Sequence, residues 1–267
     1  MKQLKPLFYY SYSVFEMVIG FKNWLSLAPL FIKKSTRNIK KLKLRRPPLN
    51  ILVRSAMDIW SVKETFLDKF YTRFGTSIKD GWIVIDIGAG IGDYSLYAAH
   101  NNPAGTVYAF EPFAESYELL VRNLALNGKE NVFAFQKAVW SEAGKIQLDL
   151  STGEPLQIRG HDQPGISDIY NALSVEAIGL QDLINEMGIK KIDLLKLDCE
   201  GSEYEILFKT PEDALRKVER IIMEYHDLNT KNNHRSLTEF LQSQGYIVKT
   251  YPNFVHSEIG YLFALRA

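Results

Sequence analysis

Cysteine is almost missing from this chain of 267 residues: Cys199 is the only one. A single thiol forms no intrachain disulfide and cannot build a cysteine-rich zinc site, and the expected setting is a reducing, cytoplasmic one. Long apolar runs are missing as well. Pro6 to Phe21 is apolar and aromatic but is interrupted by Glu16, and Asn23 to Ile32 is shorter still. Neither reaches the roughly 20 uninterrupted residues of a membrane-spanning helix. With a charge in its apolar stretch and no convincing small-residue cleavage site, the N-terminus does not read as a secretory signal. Repeats and low-complexity tracts are absent. So is a broad basic surface: beyond residue 47 the chain holds 21 Lys/Arg against 30 Asp/Glu, which argues against a nucleic-acid partner.

What remains is an ordinary globular composition, 46% hydrophobic and 24% charged, enough for one substantial core. The formal charge of +1 conceals an asymmetry, because residues 1–47 carry eleven Lys/Arg and one acid, a local +10 against −9 elsewhere. Eight of those basic residues fall between Lys33 and Arg46. Two readings of this leader are open. An interfacial helix followed by a polybasic patch would be drawn to anionic lipid, placing the protein peripherally on a membrane. A helical arm could equally pack on the acidic body or on a second subunit of an oligomer. Pro47-Pro48 interrupts a helix, so residues 1–50 are expected to form a basic, apolar extension and residues 51–267 the folded domain.

The most informative stretch runs Val84-Ile-Asp-Ile-Gly-Ala-Gly-Ile-Gly-Asp-Tyr94, and a second apolar run, Val107-Tyr-Ala-Phe, ends in Glu111, nineteen residues after Gly92. Strand, glycine turn, helix, strand and acid describe a nucleotide site. Gly88, Gly90 and Gly92 let the backbone turn tightly and approach a ligand, and a carboxylate at the next strand tip can accept both hydroxyls of a ribose. A dinucleotide would lay its pyrophosphate on the first helix N-terminus. Here Asp86 precedes the turn and Asp93 stands where the anion would go, in position to cap the helix. Two acids repel phosphate and suit a cation. S-adenosylmethionine (SAM) offers a ribose, no phosphate, a sulfonium and an ammonium, and is expected in place of NAD, with Ala89, Tyr94 and Pro112 beside the same turn. The bland alternative is a glycine turn that only packs a helix on a sheet.

Around this motif, strands at 82–87, 106–110 and 131–139 alternate with helices at 93–101 and 114–127, after a helix at 58–72 with Asp58 as N-cap and Ile59, Val62, Phe66 and Phe70 at helical spacing. Extra strands are expected at Lys145–Leu150 and Ser174–Ile178, around a loop at 151–173 long enough to act as a lid or substrate site. The alternation resumes with helix 180–187, strand Ile192–Leu197, helix 202–209, strand Val218–Glu224 and helix 235–244. Tyr246–Tyr251 and Ile259–Leu265 close as an antiparallel pair. The expected fold is α/β: a Rossmann-like, mostly parallel seven-stranded sheet with helices on both faces, as in class I SAM-dependent methyltransferases, plus an N-terminal helical extension.

Chemistry concentrates in Ile192-Asp-Leu-Leu-Lys-Leu-Asp-Cys-Glu-Gly-Ser-Glu203. Lys196, Asp198 and Glu200 share parity and point to one side at the carboxyl edge of a strand, where open α/β sheets bind ligands. The alternative is a buried Lys196–Asp198 ion pair followed by a helix cap. The next strand ends in Glu224-Tyr-His226-Asp227, and a histidine near its ordinary pKa is a good proton acceptor, although a hydrogen-bonded structural histidine would look the same.

These stretches resemble the FkbM-type SAM-dependent methyltransferases over about Leu52 to Ala267. The resemblance is carried by the glycine turn, Ala109-Phe-Glu-Pro112, Asn123-x-Ala-Leu-Asn127, Ala138-Val139 before a turn at Gly144, and above all by Lys196-x-Asp-x-Glu-Gly-x-Glu203. It implies O-methyl transfer to sugar hydroxyls and natural-product alcohols. It also implies cofactor contacts from Asp86, Gly88, Gly90 and Glu111, with Ala138 and Val139 near adenine, and Asp198, Glu200, Glu224 and His226 facing the acceptor. One departure is Lys137, where many class I enzymes place an acid for the adenine amine. Enzymes that methylate base amines commonly carry Asn/Asp-Pro-Pro-Tyr where this chain has Asp-Cys-Glu-Gly.

The expected function is transfer of a methyl group from SAM to a hydroxyl of a sugar, glycan or glycolipid-like acceptor, with Asp198 or His226 as base. A carboxylate cluster holding a divalent metal such as Mg²⁺ is the less favoured route. A small-molecule or protein N-methyltransferase, and a non-catalytic SAM-binding, membrane-docking module, are the rival functions.

Overall fold

A computed structural model describes residues 4–32, 39–149, 157–159, 172–253 and 255–267. First come two helices, α1 (Leu4–Gly20) and α2 (Trp24–Ile32), and a hairpin of β1 (Lys40–Lys43) and β2 (Asn50–Val53). Helix α3 (Ala56–Lys63), a π-helical turn (Glu64–Asp68) and α4 (Phe70–Arg73) follow. The βα alternation runs through β3 (Ile83–Ile87), α5 (Asp93–Asn101), β4 (Thr106–Phe110), α6 (Ala114–Leu126) and β5 (Val132–Phe135). β6 (Ala138–Trp140), β7 (Gly144–Asp149), β8 (Gln157–Arg159) and β9 (Ala172–Gly179) form a separate four-stranded sheet. The chain returns through α7 (Leu180–Glu186), β10 (Leu194–Leu197), α8 (Glu203–Lys209), α9 (Glu212–Leu215), β11 (Arg220–His226), α10 (His234–Ser243), β12 (Tyr246–Pro252) and β13 (Ile259–Arg266).

Seven strands line up as β12-β13-β11-β10-β3-β4-β5. β11 to β5 are mutually parallel, and β13 is antiparallel to both of its neighbours. This is the expected class I methyltransferase sheet. The chain leaves β3 for β4 on one side and reaches β10 on the other, so the crevice beyond Ile87 is the topological switch point. Strands covered on both faces should be apolar throughout, and β3 and β10 are, except for buried Asp86 and Lys196, which are direct partners in the β3–β10 register. One face packs Val84 and Leu194 with Leu96, Leu120 and Ile59, and the other packs Ile85 and Leu195 with Tyr204 and Leu237.

Several sequence expectations change. The 58–72 helix is three pieces. Ser55 is its N-cap, and Asp58 sits at the third helical position, closing a capping box with Ser55. After Lys63 the π-turn widens the helix, and Lys69 ends it in the left-handed region at φ 56°. The expected strand 131–139 breaks after Phe135, and β6 crosses to the second sheet beside β9. Most of the 151–173 loop lies outside the described residues.

Pro47 and Pro48 lie in the connection of the β1–β2 hairpin, which therefore straddles the boundary expected at residue 50. The leader's inner face is part of the core: Phe21, Leu27 and Leu30 are almost wholly buried, each such side chain contributing about 1.5–3 kcal/mol. The two motif asparagines fasten the hairpin to α6. Asn123 Oδ1 accepts from Leu52 N at 2.6 Å while its Nδ2 donates to Ile91 O at 2.9 Å. One turn on, Asn127 Oδ1 accepts from Asn50 N at 3.0 Å and Nδ2 donates to Asn50 O at 2.7 Å.

Candidate functional site

One cleft at the carboxyl edge of the sheet gathers Gly88, Ala89, Gly90, Asp93, Tyr94, Glu111, Pro112, Ala138 and Val139, with Lys196, Asp198 and Glu200 beside them. Asp86, Gly92, Glu224 and His226 are not among its lining residues.

The glycine turn explains part of this division. A Cβ on Gly88, at φ +72°, would stand 1.8 Å from the Asp198 carbonyl oxygen, so only glycine lets β3 end against β10. A Cβ on Gly92 would meet Leu120 Cδ1 at 2.3 Å, so this glycine serves the packing of the turn on α6 and not a ligand. A Cβ on Gly90 would meet no protein atom within 4 Å, because Gly90 borders the cleft itself.

Glu111, at the tip of β4, is buried and held by two backbone donors: Gly90 N–H to Oε2 at 2.8 Å and Phe113 N–H to Oε1 at 2.9 Å. Burial raises its carboxyl above the ordinary value, and these two bonds work in the opposite direction. Each oxygen keeps acceptor capacity for a ribose hydroxyl. The fixed carboxylate, the unobstructed face at Gly90 and the apolar Ala138 and Val139 fit SAM.

Asp86 faces inward. Its Oδ2 accepts from Ser95 Oγ at 2.6 Å, and Oδ1 lies 3.0 Å from Lys196 Nζ. The same ammonium donates to Gly88 O at 2.9 Å and lies 3.7 Å from Asp198 Oδ2. Burial alone would lower its pKa, but Asp86, Asp198 and Asp93 together hold it well above the usual lysine value. Asp86 is thus the counter-ion of Lys196, where a cofactor contact was expected. Asp93 occupies the first turn of α5 without capping it and accepts from Thr65 Oγ1. Burial pushes its carboxyl up to about 6, against the pull of the Thr65 bond and Lys196.

Asp198 lines the cleft with 29% of its side chain exposed and accepts from Tyr71 Oη at 2.7 Å. Glu200, at φ +53°, also reaches the cleft. His226 lies off it, with Nε2 3.3 Å from Glu200 Oε2 and Nδ1 3.4 Å from Glu203 Oε1. Burial would depress its pKa, but the Glu203, Glu200 and Glu224 carboxylates raise it to about 10. His226, expected as a candidate base, thus stands off the cleft and faces Glu200 and Glu203. Glu224 is raised well above the carboxylate range by burial and by Asp198 and Glu64.

Two residues of this region escaped the sequence reading. Glu64 opens the π-turn, accepts from Trp60 Nε1 at 2.9 Å, and is pushed up to about 8, mainly by burial. Tyr71 lies one position after Phe70 in the apolar stripe and, once the π-turn shifts the helical phase, meets Asp198. Neither carries a motif, and the helical spacing over 58–72 gives no sign of the π-turn. Among the described residues no group of three or more His, Cys, Asp or Glu is arranged to hold a metal.

Comparison with known proteins agrees with this geometry. The family model of the methyltransferase FkbM domain matches residues 86–248. The 31-O-demethyl-FK506 methyltransferase FkbM of Streptomyces tacrolimicus is 28% identical over 232 residues, covering 76% of this chain and 88% of that protein. The AMB antimetabolite synthetase AmbE of Pseudomonas aeruginosa is 29% identical over 221 residues, 70% of this chain but only 10% of that much longer protein. The hexuronic acid methyltransferase AglP of Haloferax volcanii is 23% identical over 175 residues, 65% of this chain and 69% of the relative.

The His226 ion pairs carry a pH signature. A histidine whose folded pKa lies near 10, above an unfolded value of about 6.5, adds stability that is fully present below the unfolded pKa and is lost as pH rises through the folded one. The difference in melting temperature between wild type and His226→Ala should therefore be largest at pH 6 and shrink steadily toward pH 10. A difference that is constant across that range would mean a neutral histidine.

Proposed function

The chain belongs to the FkbM methyltransferase family, and from that premise we propose that this SAM-dependent enzyme methylates a hydroxyl of a sugar, glycan or glycolipid-like acceptor. The observation that carries the reading is Asp198: a part-exposed carboxylate at the cleft, aimed by Tyr71 and Lys196, beside the region that fits SAM. When bound, SAM supplies an electrophilic methyl group on a sulfonium. Glu111 accepts the ribose hydroxyls, and the turn at Gly88–Gly90 together with Ala138 and Val139 bounds the rest of the cofactor. Asp198 takes the acceptor hydroxyl's proton as the new C–O bond forms, with alignment of oxygen, carbon and sulfur supplying the larger part of the acceleration. An acceptor hydroxyl is supported by the name of one relative, a 31-O-demethyl-FK506 methyltransferase, and a sugar-like acceptor by that of another, a hexuronic acid methyltransferase.

The outer face of the leader supports a second element, peripheral docking on anionic lipid. Its one acid, Glu16, turns inward to Lys63 at 3.3 Å. Phe15, Ile19, Leu25 and Phe31 are 49–69% exposed, beside exposed Lys22, Lys41, Lys43 and Arg45. Among the described residues no helix is long and apolar enough to cross a membrane, so the arrangement suits lying on a surface.

Glu111→Ala removes a charged acceptor of two hydrogen bonds, each worth about 1.5–3 kcal/mol, and should weaken SAM binding at least roughly tenfold. Asp198→Asn should leave SAM affinity within about threefold and lower turnover on a hydroxyl acceptor by roughly 10² or more. Calorimetry combined with a radiolabelled methyl assay separates the two effects. An Asp198→Asn enzyme of normal turnover would remove Asp198 as the base.

Vesicles rich in phosphatidylserine should sediment the protein at low salt and release it at high salt. Phe15→Asp combined with Leu25→Asp should abolish this with SAM affinity intact. Equal sedimentation of the double variant would exclude the docking face.

A further inference from the structure

A second cavity, of about 310 Å³, lies between α1, the π-turn with α4, and the β12–β13 hairpin. Tyr9, Tyr12 and Glu16 wall it from α1, Phe70 and Phe74 from α4 and its C-terminal end, and Tyr261 from β13. Tyr261 packs edge-to-face on Tyr71 with ring centroids 6.0 Å apart, and Tyr71 Oη is bonded to Asp198. Two rings, Tyr261 and Tyr71, therefore separate the cavity from the carboxylate at the cofactor cleft. Every lining residue the structure describes falls outside 86–248, the span that matches the family model.

Resting on the hydroxyl-methylation reading above, we propose that this cavity is a second acceptor subsite and that it seats a neutral sugar ring, next to the unit that receives the methyl group. Its size is at the lower end of the roughly 300–1,000 Å³ of small-molecule sites, which are lined by aromatic faces with a few placed polar groups. Phe74 and Tyr261 are stacked at 5.0 Å, and Phe70 meets Tyr261 at 5.1 Å, presenting apolar surface to the C–H faces of a pyranose. The polar groups select among occupants. Glu16, Asp68, Arg73 and Asn253 border the cavity among the aromatic rings, so both acceptors and donors line it. A wholly apolar occupant would meet none of these groups, whereas the hydroxyls of a sugar can both donate and accept. A cationic occupant has no vacancy. Lys63 Nζ already lies 5.0 Å and 5.1 Å from the Tyr9 and Trp60 ring centroids and donates to both Asp68 oxygens at 2.6–2.7 Å. The leader thereby acquires a task in specificity: its inner face forms one wall of the subsite.

Saturation-transfer NMR on the full chain, with methyl hexopyranosides as neutral probes and choline as the cationic control, tests this. Binding of a hexopyranoside is expected, with dissociation constants at least fivefold higher in Tyr12→Ala and in Glu16→Gln, while the affinity for S-adenosylhomocysteine stays within twofold. No hexopyranoside binding, binding unchanged in both variants, or a preference for choline would overturn the subsite. The fate of the hydroxyl-methylation reading is read separately. Methyl transfer to a glycoside with KM unmoved by either variant overturns the subsite and leaves that reading standing. Glycoside binding that responds to both variants, with no glycoside ever methylated, supports the subsite and overturns that reading.

Discussion

A single buried ammonium holds the reacting edge of this protein together. Lys196 sits in the middle of the sheet, where water cannot solvate it, and its charge is met by Asp86 on the neighbouring strand, the Gly88 carbonyl at the turn and Asp198 at the strand tip. Buried ion pairs are weak evidence for stability, because desolvation offsets much of the attraction, but removing one partner costs about 3–5 kcal/mol by leaving the other charge unpaired. Their value here is geometric. The strand that ends in the glycine turn and the strand that ends in Asp198 are held in one register, so the cofactor cleft and the carboxylate beside it are positioned by the same contact.

That constraint also shows how much could be read from the sequence. The strand–turn–helix pattern and the acid at Glu111 follow from periods of two and 3.6 residues and from glycine's freedom, and the sheet repeats them. Lys196, Asp198 and Glu200 do meet at the cleft, but β10 ends at Leu197 and Glu200 reaches it from a turn at φ 53°. What could not be read depends on three-dimensional neighbours. Asp86 and Asp93 both flank the turn in sequence, yet Asp86 turns inward to Lys196 while Asp93 reaches the cleft beside Thr65. His226 looked like a proton acceptor because its two carboxylate neighbours come from a turn and a helix more than twenty residues away. The π-turn has no sequence signature at all, although it is what carries Glu64 and Tyr71 toward Asp198.

The leader illustrates the same limit in another form. A local charge of +10 and an apolar stretch admit both a packed arm and a lipid-binding helix, and the fold shows the packed face. Phe21, Leu27 and Leu30 face the core, while Phe15, Ile19 and Leu25 face out. Glu16, the one acid, marks the inner side, where it meets Lys63 at the wall of the second cavity. Its inner face borders the second cavity and its outer face carries exposed cations, the arrangement that the proposed glycolipid-like acceptor calls for.

Thermal melting of Lys196→Met with and without S-adenosylhomocysteine tests the central role of the buried ammonium most directly. Methionine keeps the length and removes the charge, so Asp86 is left unpaired and the Gly88 carbonyl loses its donor. The expected result is a lower melting temperature and a much smaller rise on adding S-adenosylhomocysteine than in wild type. A variant that melts at the wild-type temperature and shows the full ligand-induced rise would contradict it.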